Sequence, residues 1–278
     1  MDLQFVKKEN ASEMPTVLYK YRTWIKPEHK RLLTHHEIYY ASPDELDELT
    51  ECNLGRDYDS VTKEMIWEFC RQEAQREVDA GIVEISFVLN RTKELFETNK
   101  FYDLEHRAHA EKEFRAHLNN VLSIFCASET PMNERLWNTF AGYKTGYCVG
   151  IDFTEIYTND TVFGTCGKVN YYQESDHPKI PPISLSSDER VLNMMKLMYN
   201  LPDKFREEDE FRFTKMHINN RRVPLNPDWI KEVILGSEME PTAEAEIVAL
   251  VTKTYPSAKI KKLFVEPTFN QMSIIDYN

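Results

Sequence analysis

The most densely charged segment of the chain is Lys204-Phe205-Arg206-Glu207-Glu208-Asp209-Glu210-Phe211-Arg212-Phe213-Thr214. In an extended strand, successive side chains point to opposite faces. Phe211 and Phe213 therefore share one face, and the polar side chains share the other: Glu208, Glu210, Arg212 and Thr214. Two carboxylates and a guanidinium thus follow one another at roughly 6–7 Å along one face. Such a strand is either a surface strand or the wall of a cleft.

Sequence patterns around this segment predict a sheet interrupted by helices. Alternating or continuous apolar runs predict strands at 17–22, 37–41, 121–127, 146–153, 162–172 and 208–217. Residues 59–120 instead have helical apolar spacing and few strand signals. We therefore expect an α+β fold with a single mixed, largely antiparallel sheet. Residues 1–278 should form one domain, with 56–120 as a helical insertion or lobe.

The composition is typical of a folded globular protein. Hydrophobic residues make up 41% and aromatic residues 12% of the chain, which suffices for a full core and argues against disorder. The formal net charge of -12 argues against binding nucleic acid over a broad surface. A local basic groove remains compatible with that total.

The cysteines and the apolar runs bear on compartment and cofactors. There are five cysteines, odd in number and without a CxxC pair, so no zinc site is indicated and a reduced cytoplasmic compartment is expected. No apolar run approaches the length of a membrane span, so no membrane partner is expected. No compact set of carboxylates resembles a metal site, and we expect no metal.

A basic cluster begins at Tyr19-Lys20-Tyr21-Arg22 and continues to His36. Lys20 and Arg22 share one face of the predicted strand, where they can clamp an anion, because a guanidinium matches phosphate in a bidentate geometry. The alternative is that Arg22 pairs with a carboxylate and that the other basic side chains form a solvated helix face.

Two further groups suggest a ligand site. Ser42 ends a predicted strand, where its hydroxyl can hold a carboxylate or a ribose, although a turn or helix cap explains it equally well. In Glu208-x-Glu210-x-Arg212, one carboxylate can stabilise developing positive charge while its neighbour positions a nucleophile. The alternative is a ladder of ion pairs across strands.

An ordered set of short motifs resembles a widespread bacterial domain family of unknown function. The resemblance covers residues 17–265 and departs from the family where 44–54 lacks its usual Asn-Asp-Pro-Phe segment. The motifs are Tyr19-Lys20-Tyr21-Arg22, Ser42-Pro43, Cys126-x-Ser128-Glu129, Leu136-Trp137, Gly146-Tyr147-Cys148-Val149-Gly150-Ile151-Asp152, Lys168-Val169-x-Tyr171, Glu208-Asp209-Glu210-Phe211-Arg212 and Ile234-Leu235-Gly236.

The combination of a strand-borne Arg, a strand-borne Ser and a Glu-x-Glu strand is also similar to the Arg–Ser–Glu arrangement of ADP-ribosyltransferases. That resemblance implies NAD as substrate. Arg22 would hold the pyrophosphate or ribose, and Ser42 would orient Glu210. Glu210 would bind the nicotinamide ribose, while Glu208 would help to activate a protein or nucleic-acid acceptor. Other residues assigned to NAD binding are Lys20, Tyr21, Tyr40 and Arg212.

Two functions follow from these patterns. The first is an NAD-consuming transferase or glycohydrolase, for which the resemblance suggests the role of a bacterial toxin or phage-defence effector. The second is a non-catalytic sensor or interaction module that binds a phosphorylated ligand or nucleic acid through the basic segment 20–36. The enzyme requires Arg22, Ser42 and Glu210 to lie around one cleft.

Overall fold

A computed structural model describes residues 14–46, 51–154, 164–217, 219–269 and 271–277. Its strands are β1 (Val17–Arg22), β2 (Glu37–Tyr39), β3 (Gly55–Arg56), β4 (Leu122–Ser128), β5 (Tyr147–Asp152), β6 (Thr165–Lys168), β7 (Asn170–Tyr172), β8 (Lys179–Ile180), β9 (Asn200–Pro202), β10 (Glu210–Met216), β11 (Arg222–Pro224), β12 (Ile230–Leu235), β13 (Lys259–Val265) and β14 (Met272–Asp276). Its helices are α1 (Pro27–Thr34), α2 (Lys63–Asp79), α3 (Val88–Thr98), α4 (Leu104–Val121), α5 (Glu134–Thr139), α6 (Ser187–Tyr199) and α7 (Pro241–Thr254).

Eight strands form one sheet in the order β14-β13-β12-β5-β1-β4-β10-β6. Neighbouring strands in it are antiparallel, except β12 and β13, which run parallel. The remaining strands form short two-stranded ladders. The fold is therefore α+β with a mixed, largely antiparallel sheet, which confirms the predicted fold class.

The alternation in β10 sets the two faces of the sheet. Phe211 and Phe213 are buried in the largest apolar cluster, where Phe213 stacks on Phe153 with 4.5 Å between ring centres. Helices α1 and α7 contribute to this cluster, so they cover that face. On the opposite face, α5 packs over β1 and β5, while α4 and α6 pack near β4. The sheet thus lies between two helical layers, as amphipathic strands require.

The region from 59 to 120 is largely helical, as its apolar spacing predicts. Helices α2 and α3 pack together on a small separate cluster that includes Ile66 and Cys70. Helix α4 runs directly into β4 at Val121 and Leu122. This direct connection joins the helical region to a central strand of the sheet.

Several predicted boundaries differ from the structure. β1 has the predicted bounds, but β10 begins at Glu210 because Asp209 adopts a left-handed conformation with φ of 45°. The strand predicted at 162–172 is divided into β6 and β7, and positions 162 and 163 lie outside the described residues.

Within the described ranges, no helix is both long and apolar enough to cross a membrane.

Candidate functional site

A cleft opens where β1 and β4 part. β1 pairs with β5 at all six of its residues but with β4 only at Tyr19 and Ser128. Beyond that point β4 no longer pairs with β1. Ile124 of β4 instead forms a bridge with Ala41, so β4 turns away from β1. The resulting cleft has a volume of about 750 Å³ and is bounded by β1, β4, α1, α5 and the segment before β10. This volume lies within the range typical of small-molecule sites.

Lys20 and Arg22 form the cationic side of the cleft. The Lys20 ammonium donates to the backbone oxygen of Cys126 and lies 4.9 Å from the centre of the Phe125 ring. The Arg22 guanidinium makes one weak hydrogen bond, 3.4 Å long, to the backbone oxygen of Tyr21. Within the described part of the chain, neither cation forms an ion pair with a carboxylate. Two cations are thus left to receive an anion.

The surroundings of Arg22 favour an anionic guest. Burial, Arg22 and Lys26 lower the pKa of His29 to about 4, so the imidazole is neutral at pH 7 and leaves the positive charge on its neighbours. Burial also lowers the pKa of Lys20 to about 7, and Arg22 adds to that shift. A bound anion would relieve both repulsions.

Gly146 allows the backbone to approach Arg22 closely. A Cβ atom at this position would lie 2.2 Å from the backbone oxygen of Arg22 and 2.8 Å from that of Ala141. Any larger residue would displace one of these segments, because real Cβ contacts are never so short. The glycine of the Gly146–Asp152 motif therefore has a direct role in placing Arg22.

Glu208 also lines the cleft, and its charge acts on Lys20. It ends the 3-10 turn Asp203–Glu208 rather than belonging to β10, because the left-handed Asp209 interrupts the strand alternation. Its carboxylate accepts a 3.1 Å hydrogen bond from Arg135 Nε. Burial and the nearby charge of Glu210 raise the pKa of Glu208 to about 7, despite the opposing effect of Arg135. A carboxyl group of this kind can take up or release a proton near neutral pH.

Glu210 is held in a buried ion-pair network. Its two carboxylate oxygens accept hydrogen bonds from Arg212, at 2.7 Å from Nε and 3.0 Å from Nη2. Arg212 Nη2 also donates to both oxygens of Glu51, at 3.0 and 2.8 Å, and Nη1 donates to the backbone oxygen of Met198 at 2.9 Å. The Tyr171 hydroxyl accepts a 2.9 Å hydrogen bond from the Glu210 backbone. The Glu210 side chain is therefore oriented before any ligand arrives.

The network holds two carboxylates and one guanidinium. Burial lowers the pKa of Arg212, but Glu210 and Glu51 outweigh burial and hold that pKa well above its ordinary value. Burial raises the pKa of Glu51 against the lowering effect of Arg212. With both carboxylates ionised the net charge is -1, from two negative charges and one positive charge. Glu210 and Glu51 are close enough to Glu208 for their negative charge to raise its pKa.

The register of the strands places the cations relative to the carboxylates. Tyr19 pairs with Ser128, and Ser128 pairs with Glu210, so these residues form one row across β1, β4 and β10. Arg22 follows Tyr19 by three positions, roughly 10 Å along the strand. Paired residues share a face of the sheet, so Tyr19, Ser128 and Glu210 lie on one face. Lys20 and Arg22 are an odd number of positions from Tyr19, so their side chains leave β1 on the other face. They meet in one cleft because β1 and β4 separate just beyond that row.

Three predicted site residues lie outside the cleft lining. The Ser42 hydroxyl donates to Glu45 at 2.9 Å, so Ser42 caps the short turn Pro43–Glu45 instead of orienting Glu210. Tyr40 is fully buried and contacts Phe125, which places its ring in the core. Arg212 is fully buried beneath the cleft, where Glu51, Glu210 and Met198 occupy its donors. The roles expected for these three residues are corrected accordingly.

Tyr21 borders the cleft but has its polar group elsewhere. Its hydroxyl donates to the backbone oxygen of Thr130 at 2.6 Å, and its ring meets Trp137 edge to face at 5.3 Å. Tyr21 therefore packs against α5, and we assign no direct ligand contact to it.

Sequence reasoning missed two residues that line the cleft, Glu51 and Arg135. Glu51 is 161 positions from Arg212 and lies in a segment without apolar periodicity, so no local pattern marks it. Its backbone oxygen accepts from Arg115 of α4, which ties the network to the helical region. Arg135 was detectable only through its position next to the Leu136–Trp137 motif.

Comparisons with family models, with curated proteins and with solved structures find no match. Among the residues with a described structure, no group of three or more His, Cys, Asp or Glu side chains could hold a metal ion.

Proposed function

We propose that the protein is an NAD-consuming enzyme of the ADP-ribosyltransferase type, with NAD bound in the cleft between β1 and β4. The observation that carries the proposal is that Lys20 and Arg22, which pair with no carboxylate among the described residues, share this cleft with Glu208 and Glu210. A dinucleotide has matching parts, since its pyrophosphate is anionic and its ribose is polar and neutral. Arg22 and Lys20 would hold the pyrophosphate, and the nicotinamide ribose would lie beside the glutamates.

The two glutamates suit different steps of nicotinamide–ribose cleavage. Nicotinamide leaves with the electron pair of the glycosidic bond, and the ribose passes through an oxocarbenium-like species. Glu210, fixed by Arg212, supports that positive charge, and its oxygens retain lone pairs for a ribose hydroxyl. The acceptor then bonds to the ribose carbon, and its proton passes to Glu208. A general base with a pKa near the working pH is effective at this step.

The basic segment 20–36 offers less support for the interaction module. Arg31 pairs with Glu37 at 2.7 Å, and Lys30 lies 3.7 Å from Glu246 and 4.7 Å from the centre of the Trp24 ring. These helix cations already have partners, so they do not form a broad surface for a polyanion. Binding of a phosphorylated ligand without turnover would nevertheless be the result expected of such a module.

Replacing Arg22 tests the ligand site. Arg22→Ala should weaken NAD binding by about 1.5–3 kcal/mol, because it removes a charge-assisted hydrogen-bond donor from the phosphate site. Arg22→Lys should lose less, since it keeps the charge but not the planar fork. Isothermal titration calorimetry with NAD and with ADP-ribose measures both. Arg71→Ala, which removes an exposed arginine of α2 paired with Glu68, is the matched control. Equal affinities for all four proteins would contradict the site.

The pH dependence should separate catalysis from binding. The turnover number should rise as pH increases through about 7, because Glu208 accepts a proton only when ionised and its pKa is raised to about 7. NAD affinity should fall over the same interval, because Lys20, whose pKa is lowered to about 7, loses its charge. Glu208→Gln should abolish the rise in kcat and keep the loss of affinity. Measurements of kcat and Kd between about pH 5.5 and 8.5 test both pH dependences. A pH-independent kcat in the native protein would contradict the role of Glu208 as a base.

A further inference from the structure

Lys20 has surroundings that are unusual for a lysine. Its amine lies in the cleft against the face of the Phe125 ring and donates to the backbone oxygen of Cys126. Within the described residues it has no carboxylate ion-pair partner. Lys26, at the rim of the same cleft, is by contrast exposed. An amine placed in this way is poorly solvated, and no carboxylate of the described residues pairs with it to stabilise its protonated form.

Charged and titratable groups reach Lys20 from four elements. They are Arg22 on β1, Cys126 on β4, Glu208 and Glu210 around the start of β10, and His29 on α1. Burial and then Arg22 lower the pKa of Lys20 to about 7, whereas Cys126, Glu210 and Glu208 raise it. A large share of the amine is consequently neutral at pH 7. Burial combined with a neighbouring cation is a recognised way of turning a lysine into a nucleophile.

We propose that Lys20 is a nucleophilic amine that forms a Schiff base with a phosphorylated aldehyde or ketone whose phosphate is held by Arg22. The two side chains share a strand face and are roughly 6–7 Å apart at the backbone, a span that a short phosphorylated carbonyl compound can bridge. The proposal uses the same cleft as the proposed function but does not depend on NAD cleavage.

The reaction is balanced within the cleft. The neutral Lys20 nitrogen bonds to the carbonyl carbon, and the carbonyl oxygen becomes a hydroxyl as it takes up a proton. The nitrogen, which is positively charged after the attack, releases one proton to Glu208, and this gives the neutral carbinolamine. Glu208 returns that proton to the hydroxyl, which leaves as water while the nitrogen lone pair forms the carbon–nitrogen double bond. The imine nitrogen keeps its last proton or passes it to Glu208. Glu208, which lines the same cleft, can supply the proton in its acid form and recover one afterwards. No oxidant or reductant takes part.

Pyridoxal 5′-phosphate is a suitable probe, because it carries an aldehyde and a phosphate. The folded native protein is incubated with it, the imine is reduced with borohydride, and the modified lysine is located by peptide mass spectrometry. Lys20 should be labelled at concentrations at least about tenfold lower than those needed with pyridoxal, which lacks the phosphate. Arg22→Ala should remove this difference between the two probes. Lys20→Arg should retain the cation and lose the label.

The pH dependence provides a second readout that needs no variant. Labelling of Lys20 by pyridoxal should increase with pH around a midpoint near 7, because only the neutral amine reacts. The side chain of a free lysine peptide, used as the reference, has a pKa of about 10.4. With pyridoxal 5′-phosphate the midpoint should be higher, because the bound phosphate stabilises the protonated amine. Label spread over exposed lysines such as Lys26 and Lys253 without preference for Lys20, or equal labelling by the two probes, would overturn the proposal. Absence of nicotinamide release would leave these labelling results unchanged, so the two proposals fail separately.

Discussion

Arg212→Leu is expected to lower the free energy of unfolding by about 3–5 kcal/mol at neutral pH. The guanidinium is fully buried and neutralises part of the charge on Glu51 and Glu210. Leucine fills part of the volume but leaves the two buried carboxylates without the guanidinium that they share. Chemical denaturation monitored by tryptophan fluorescence measures the loss. The deficit should shrink as pH falls toward about 4–5, because protonation removes the unpaired negative charge.

Single replacements of the carboxylates provide the comparison. Glu51→Gln or Glu210→Gln leaves one carboxylate and one guanidinium, which is a neutral buried pair, and the amide oxygen can still accept from Arg212. Each should therefore destabilise the protein less than Arg212→Leu does. A denaturation midpoint of Arg212→Leu equal to that of the native protein would show that this network contributes little to stability.

Glu210→Gln is expected to slow nicotinamide release by about 10²–10³-fold, as for the loss of one preorganised electrostatic group. Phe211 and Phe213 anchor the strand in the core, and Arg212 keeps its pair with Glu51, so the fold should persist. The loss should appear in kcat more than in Kd, because the carboxylate acts on charge that develops during bond cleavage. Release of nicotinamide under saturating NAD gives kcat, and calorimetry gives Kd.

Two other replacements of glutamate by glutamine serve as comparisons for this prediction. Glu208→Gln should reduce transfer to an acceptor more than simple hydrolysis of NAD, because in the proposed mechanism Glu208 receives the proton of the acceptor. Glu73→Gln alters a partly exposed glutamate of α2 that pairs with Arg76, and it should have no effect on either reaction. Unchanged nicotinamide release by Glu210→Gln would remove Glu210 from the mechanism.

The regular parts of the fold could be predicted from local patterns. β1 has the predicted bounds because its side chains alternate cleanly, and β10 buries Phe211 and Phe213 as the alternation indicates. Glu208 does not lie in β10 as predicted, because Asp209 adopts a left-handed backbone conformation. The alternation of residue types does not reveal such a conformation. β14 was not predicted, and its pairing with β13 is a non-local contact that composition alone does not reveal.

The candidate site was only partly accessible to sequence reasoning. Lys20 and Arg22 were identified because a cationic strand is conspicuous in an acidic chain. Arg212 was assigned to the ligand, but its partner Glu51 comes from a distant loop and draws the guanidinium beneath the cleft. Ser42 was assigned to Glu210, but Glu45, only three residues later, takes its hydroxyl. Distant pairing partners and local caps decide such roles, and neither follows from residue type.

The central claim, that the cleft between β1 and β4 binds and cleaves NAD, is tested most directly by incubating the purified protein with NAD and measuring free nicotinamide. Water alone and added protein or nucleic-acid acceptors should be compared. We predict that nicotinamide is released by the native protein, strongly diminished in Glu210→Gln and reduced through weaker binding in Arg22→Ala. Absence of nicotinamide with every acceptor, together with no NAD binding by calorimetry, would contradict the claim.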